Sequence, residues 1–567
     1  MHVATIRRRH GDRVYESHLV RRSIRDGKRV RHETIANVSR LPPAAIEALR
    51  RALRGEALMA AGEAFAIEDP LAHGHVEALL GAARRLGLAR LLDRAPSRER
   101  DLALALICVR VIAPGSKLAT ARALGRSTLA CELSIEGADQ DDLYAAMDWL
   151  LERQERIEGR LARRHLQDGE LVLYDVSSSY FEGRTCPLAE LGFSRDGKRG
   201  TPQVVYGLLC DRRGCPVSVE VFKGSLHDDK TLLSQLEKLR DRFGLKRIVV
   251  VSDRGMVTKA NLDAMRSRHD VAWITALKAP QVKRLARRAL IQPSLFDEHS
   301  LAEIDADEYP GERLIVCRNP LVAAERARKR EDLLQATERE LTDIARRVEA
   351  GTLAGEAAIG LAAGAVWNRY RVKKHFRLEI ADTSFAFERK TEQIAAEAAL
   401  DGIYVIRTSV ADDALDGPDV VRSYKQLKEV ERAFGSFKGP LEVRPIHHRL
   451  EDRVRAHVFL CMLAYYLEWH LRQAWAELLF KDEHPPTPTD PVAKASRSAG
   501  AERKARTKRT ADGRPCHSFR SLLDELALRT RNTIRPHGTN TTFTQLSEPT
   551  ELHTRALSLL QQIPNHA

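Results

Sequence analysis

No stretch of this chain approaches the roughly 18 consecutive apolar residues of a membrane helix, so no membrane association is expected. The opening "MHVATIRRRHGDRV" lacks an apolar core behind its charges, and no signal peptide is expected either. Cysteine is scarce, with 8 scattered over 567 residues, which fits a reducing cytosol better than a disulfide framework. Cys210 and Cys215, with Cys186 and His227 nearby, leave a zinc site open, though without a second close cysteine pair. Aromatics make up only 5%, which together with a basic surplus counts against a sugar cleft worked by two carboxylates. Acids are in deficit: 78 Asp and Glu face 92 Lys and Arg, a formal net charge of +14. A large basic protein without membrane features points to a polyanionic partner. What is present is ample core material: 43% hydrophobic residues exclude global disorder, and the length suggests roughly three to five domains.

Residues 1–65 read as a basic N-terminal β unit. "HLVRRSIRDGKRVRHETIANV" holds two strand-like runs joined by Asp26-Gly27, a hairpin signal, and residues 1–60 carry 14 Lys or Arg against 6 Asp or Glu. That surplus suits either a solvated strand face or a phosphate-contacting arm. Residues 66–168 read as a helical DNA-binding region. Ser97 caps "RERDLALALICVRVIA", Ser116 caps the short basic helix after Pro114, and the pair resembles a helix-turn-helix. Leu143, Met147, Leu150, Ile157 and Leu161 fall on one stripe of a further helix, as core packing requires.

At residue 169 the pattern changes to buried strands: "ELVLYDVSSSYF", two strands about the turn at Arg212–Gly214, then "KRIVVVSDRGM" and "VAWITALK". These make an α/β sheet domain, with 169–280 as its first part. Residues 281–400 interrupt it. There Leu334, Thr337, Leu341, Ile344 and Val348 mark one arm of a helical hairpin. The sheet resumes in 401–481. Residues 482–515, rich in Pro, Ala and charge, read as a disordered basic linker, and 516–567 as a helical C-terminal segment.

Asp175 and Asp253 each follow a buried strand run, and strand ends are where α/β folds place ligand-binding groups. In "YKQLKEVERAFGSFK" Glu431 lies seven residues after Tyr424 and seven before Lys438, nearly two turns each way, so the three share one helix face with Leu427 and Phe434. A carboxylate on a packed face needs a partner, a proton or a metal. Three carboxylates from two strands and a helix suit hard divalent ions and two-metal phosphoryl chemistry. Asp228, in "HDD", is better placed to cap a turn. Arg444 and Arg449 suit phosphate or a solvated basic face, and His447, His448 and His457 suit phosphate or packing.

Asp175, Asp253 and Glu431 resemble the triad of DDE transposases with a ribonuclease-H-like core. The helix resembles the Tyr-Arg-Glu-Lys signature of the IS-four superfamily of insertion-sequence transposases, with Tyr424, Glu431 and Lys438 matching and Leu427 standing where the family has Arg. "SKLATARAL", "YDVSSSYF", "KGSLHDDKTL", "SDRGMVTKANL" and "RPIHHRLEDRVRAHVFL" resemble a long-chain branch of that superfamily. The resemblance implies an α/β fold: a ribonuclease-H-like catalytic core interrupted by an inserted domain, the latter strand-rich in the family and here with a long helical pair as well. It implies Asp175, Asp253 and Glu431 as catalytic metal ligands for Mg²⁺, with Mn²⁺ able to substitute. It further implies Tyr424 and Lys438 on the DNA end, with Lys428 able to supply the charge absent at Leu427. The activity implied is binding the terminal inverted repeats of an insertion sequence, cutting there and joining the 3′-hydroxyls to target DNA. That requires double-stranded DNA as partner, a homodimer or larger synaptic assembly, and a cytoplasmic, nucleoid-associated bacterial setting. Two alternatives remain open: a ribonuclease-H-like DNA nuclease without strand transfer, and a non-catalytic DNA-binding derivative.

Overall fold

Strands β1 (His2–His10), β2 (Arg13–Asp26) and β3 (Arg29–Asn37) pair antiparallel as a meander. Its second turn passes through Gly27 at φ +61°, the left-handed conformation that the Asp-Gly pair is suited to supply. The computed structural model describes residues 1–56, 64–296 and 299–566. The chain forms two units, one of Met1–Leu71 with Thr530–Glu548, the other of Ala72–Arg529 with Pro549–Ala567.

In the first unit the meander is mostly exposed. Within residues 1–56 only Val20 and Ile46 are buried apolar side chains, the latter on the helix Pro43–Leu53. Cross-strand pairs such as Arg7–Glu16 at 2.6 Å and Arg22–Glu33 at 3.2 Å lie on the surface, where each contributes about 0–1 kcal/mol. Strand β4 (Phe65–Ala72) joins Thr530–Pro536 and Phe543–Leu546 in a second three-stranded sheet. The C-terminal segment is therefore not purely helical. "TRNTIRP" and "FTQL" carry the β-branched alternation of strands, between the helices Phe519–Ala527 and Glu551–Leu559.

The second unit is mixed α/β. Ser97 Oγ accepts from Arg100 N at 3.2 Å and Ser116 Oγ from Ala119 N at 3.1 Å, capping the helices Arg98–Ile112 and Lys117–Leu124, which meet at 95°. Among the described residues no single helix is long and apolar enough to cross a membrane. Leu143, Met147, Leu150, Ile157 and Leu161 are all buried, but on two helices, Gln140–Leu151 and Gln154–His165, rather than one. The helix Glu451–Ala474 is apolar nearly all round and runs through the core beside Arg98–Ile112.

Against these helices lies an eight-stranded sheet. β5 (Leu171–Tyr180) pairs antiparallel with β6 (Gln203–Asp211), which pairs antiparallel with β7 (Pro216–Lys223). On its other side β5 is parallel to β8 (Ile248–Ser252), and β8 to β9 (Val271–Ala276). Beyond β9 come β14 (Ile403–Thr408), β11 (Arg313–Arg318) and β10 (Leu301–Ile304), all antiparallel to their neighbours.

Residues 281–400, expected as one interruption, thus divide. β10 and β11 extend the main sheet. The helices Pro320–Glu349 and Glu356–Tyr370, with the hairpin β12 (Phe376–Ala381) and β13 (Ser384–Arg389), close round a separate core. Leu334, Thr337, Leu341, Ile344 and Val348 are the buried positions of the long helix, as the 3–4 spacing requires.

The expectation of a disordered linker at 482–515 is corrected. Lys425 Nζ donates to the carbonyls of Pro491, Val492 and Ala493 at 2.6, 2.9 and 3.0 Å, and Val492 is fully buried. Within the helix Ala499–Thr507, Lys504 is buried and donates to Ala476 O at 3.0 Å and to Glu483 at 2.5 Å. Composition undercounts such a segment because its order comes from lysines satisfied by backbone carbonyls rather than from apolar bulk.

Candidate active site

The β5–β8 register builds the site. The two strands run parallel, with Leu171 opposite Val249 and Tyr174 opposite Ser252. β8 ends at Ser252 while β5 continues to Tyr180. One residue further along each chain stand Asp175 and Asp253, so two acids emerge side by side from strands about 4.8 Å apart. Asp175 is therefore mid-strand rather than at a strand end; the end that matters is that of its neighbour.

The stretch around Glu431 is not one helix. Gly417–Lys425 stops at Gln426, and Leu427–Lys438 starts anew. Leu427, Val430, Ala433, Phe434 and Phe437 form its buried face against the sheet, and Phe434 and Phe437 pack on Tyr206 of β6. Glu431 is exposed, at the edge of that face rather than within it. It looks into a cleft of about 610 Å³ whose walls also carry Asp175, Asp253, Tyr424, Lys428 and Lys438. Three acids and three of the five expected DNA-contacting residues thus share one opening.

Among the described residues, none of the three acids enters an ion pair, although cations line the same cleft. Arg195 is taken by Asp228, with which it forms a short ion pair. Lys438 is taken by Asp196, 2.9 Å away and 1% exposed. Asp175 accepts only the N–H of Val176, at 2.8 Å. Burial, and then the negative charges of Asp253 and Glu431, push the Asp175 carboxyl up to about 7, against the pull of that N–H and of Arg195. One partly buried and two exposed carboxylates, unpaired among the described residues and repelling one another, are the donor set a hard divalent cation fits.

Arg195 and Asp196, in the loop "GFSRDGKRG" between β5 and β6, escape sequence reasoning; a short charged loop gives no sign that Asp196 is buried. Asp196 holds both Lys438 and Arg444, and Arg444 also donates to the carbonyl of Lys438 at 3.3 Å. Arg444 therefore braces the cleft from behind rather than lining it, and burial lowers the pKa of the Lys438 ammonium. Arg449 is exposed on the loop after Pro445, outside the cleft lining. Asp228 is the ion-pair partner of Arg195 on the cleft wall, at the start of a single 3₁₀ turn. Cys215 gathers with His165 and His470, not with Cys210, Cys186 and His227, among the described residues.

A family model described as "Transposase DDE domain" matches residues 170–467, and one described as "IS1634 family transposase, N-terminal domain" matches residues 3–64. No match was found among curated proteins. Among solved structures, the chain is similar to a piggyBac transposase synaptic complex with hairpin DNA, at 9% identity and TM-score 0.33, over 70% of this chain and 72% of that one. It is also similar to the Mos1 transposase paired-end complex with left transposon end, at 13% identity and TM-score 0.15, over 34% of this chain and 62% of that one. With the DDE domain spanning more than half of its 567 residues, behind an insertion-sequence N-terminal domain, the chain belongs to the DDE transposases.

Proposed function

We propose that this DNA transposase binds the terminal inverted repeats of its own element, cuts there by two-metal phosphoryl transfer and joins the freed 3′-hydroxyls to target DNA. The observation that carries the reading is the placement of Asp175 and Asp253 side by side at the end of β8, with Glu431 across the same cleft and, among the described residues, no cation paired to any of them. In this reading strands β7-β6-β5-β8-β9 are a ribonuclease-H-like core, and the helical hairpin with β12 and β13 is an insertion between its second Asp and its Glu.

Asp175, Asp253 and Glu431 would hold Mg²⁺, or Mn²⁺ in its place. Divalent ions held there would supply activation of the attacking oxygen and neutralisation of charge on the leaving one. Tyr424, Lys428 and Lys438 would hold the DNA end on the walls, with Lys428 exposed and uncommitted enough to meet a phosphate directly. Arg449 would contact the backbone from the neighbouring loop. Joining two ends at once would call for at least two protomers, and DNA as substrate would suit a cytoplasmic, nucleoid-associated setting.

Pre-cut element ends incubated with a target plasmid and Mg²⁺ test this. Covalent joining of the 3′ strand supports transposition. Cleavage of uncut ends with no joining of pre-cut ones would make the protein a nuclease of the same family.

A further inference from the structure

Two motifs remain without a role: "SKLATARAL" and "RPIHHRLEDRVRAHVFL". Their residues meet where the helices Arg98–Ile112, Lys117–Leu124 and Glu451–Ala474 pack together. Lys117 is 3% exposed, and its ammonium has neither ion pair nor hydrogen bond among the described residues. Arg110, 4% exposed, makes one long hydrogen bond, 3.3 Å to the carbonyl of Gly115. The charges of both bear on His448 and on His457, whose rings lie 5.2 Å apart. His457 Nε2 donates to Val443 O at 3.0 Å, leaving its buried Nδ1 unpartnered. Arg453 completes the group over the ring of Tyr144; its Nε is also buried and unpartnered, and its one acid, Asp148, lies 3.4 Å away at the half-exposed rim.

A chain does not normally bury cations without acids. An Arg keeps its charge under all ordinary conditions, and an unpaired buried charge is expensive. Proton loss from Lys117 relieves part of that cost but leaves Arg110 uncompensated and Arg453 with a single acid at the rim. The missing component is an anion with several acceptor oxygens. Arg453 is about a third exposed, and the exposed Ser116, His447 and Arg449 flank the buried members along the chain, so the group opens toward the surface. The loop that brings His448 here also carries Arg444 to Asp196 behind the catalytic cleft. We propose that Arg110, Lys117 and Arg453, beside the rings of His448 and His457, form a phosphate-binding site, filled by a backbone phosphate of bound DNA or by a free phosphate ion.

The test compares full-length wild type with Lys117→Met, and with Arg453→Met should the first variant not fold. In the first arm, melting temperature is followed against inorganic phosphate at constant ionic strength. Wild type should gain stability over a chloride control. Lys117→Met should start higher, being free of an unpaired buried charge, and gain less. In the second arm, affinity for a non-specific duplex is followed against salt. Removing one cation that neutralises a DNA phosphate flattens the log–log slope by about 0.9. A flattened slope assigns the site to the DNA backbone. An unchanged slope with an abolished phosphate response assigns it to the free ion, and that arm stands whether or not the transposition reading holds. Equal phosphate responses and equal slopes in wild type and variant would overturn the proposal.

Discussion

The ammonium of Lys438 lies 2.9 Å from Oδ1 of Asp196, a carboxylate 1% exposed that also holds Arg444. Two cations thus share one buried acid at the back of the cleft that Lys438 lines. Removing Lys438 leaves Asp196 with Arg444 alone. Lys438→Ala should cost about 1–3 kcal/mol of folding stability, less than breaking an isolated buried pair because Arg444 remains. Denaturant unfolding measures it. If Asp196→Asn in the same background restores stability without restoring end binding, Lys438 serves both the fold and the DNA; if it restores both, Lys438 serves only Asp196.

Leu427 stands where the family signature has Arg. It is 9% exposed on the buried face, yet it also borders the cleft. An Arg there forfeits leucine packing but can extend its guanidinium along the wall to the opening. Leu427→Arg should therefore lower stability by about 1–2 kcal/mol rather than the larger penalty of a fully buried unpaired charge. Chemical denaturation with unchanged slope and a lower midpoint is the expected outcome; an unchanged midpoint would show that Leu427 contributes no packing.

Lys117 gives a pH signature. Burial, with the charge of Arg110, pushes its ammonium down to about 7, against an ordinary 10.5, with the buried Cys461 thiol, His448 and His457 as its other titratable neighbours. Between those values the unfolded chain binds a proton that the folded chain has released. The unfolded state binding more protons means that stability rises with pH through this window. Wild type should gain on Lys117→Met as pH climbs from about 7 to about 10, and bound phosphate should flatten that difference by holding the proton in place. Paired melting curves across the range check it; parallel profiles would mean that Lys117 titrates normally.

Much of this architecture is legible in the sequence because the runs that build it are local. "LVLY" and "IVVV" are continuous apolar strands, and the stripe from Leu334 to Val348 repeats at helical spacing over four turns. Both candidate aspartates are visible as acids at the close of such runs, Asp175 directly after "LVLY" and Asp253 one residue after "IVVV". What is not legible depends on partners far away in sequence. The break at Gln426 has neither Pro nor Gly to announce it. Asp196 becomes a buried anchor through Lys438, 242 residues on, and through Arg444. The order of 482–515 rests on Lys425 and Lys504 finding backbone carbonyls. Helical spacing puts Glu431 on a packed face, yet the packing falls on Val430 and Phe434 and leaves Glu431 at the rim, where it lines the cleft.

The cleft should respond to divalent ions even without DNA. Asp175, Asp253 and Glu431 repel one another with no cation paired to them among the described residues, so Mg²⁺ or Mn²⁺ should raise the melting temperature of the wild type. Asp175→Asn should melt higher than wild type in chelator and gain less from the metal. A wild-type melting temperature indifferent to both ions would remove the carboxylate cluster as their site.

The most direct measurement is single-turnover cleavage of a duplex carrying the element's terminal inverted repeat, in Mg²⁺, by wild type and by Asp175→Asn, Asp253→Asn and Glu431→Gln. Each substitution keeps the shape of the side chain and removes the charge that a divalent ion requires. The account predicts cleavage by the wild type and none detectable from any of the three variants, with end binding by gel shift preserved in all. Near wild-type cleavage by any one of them would contradict it.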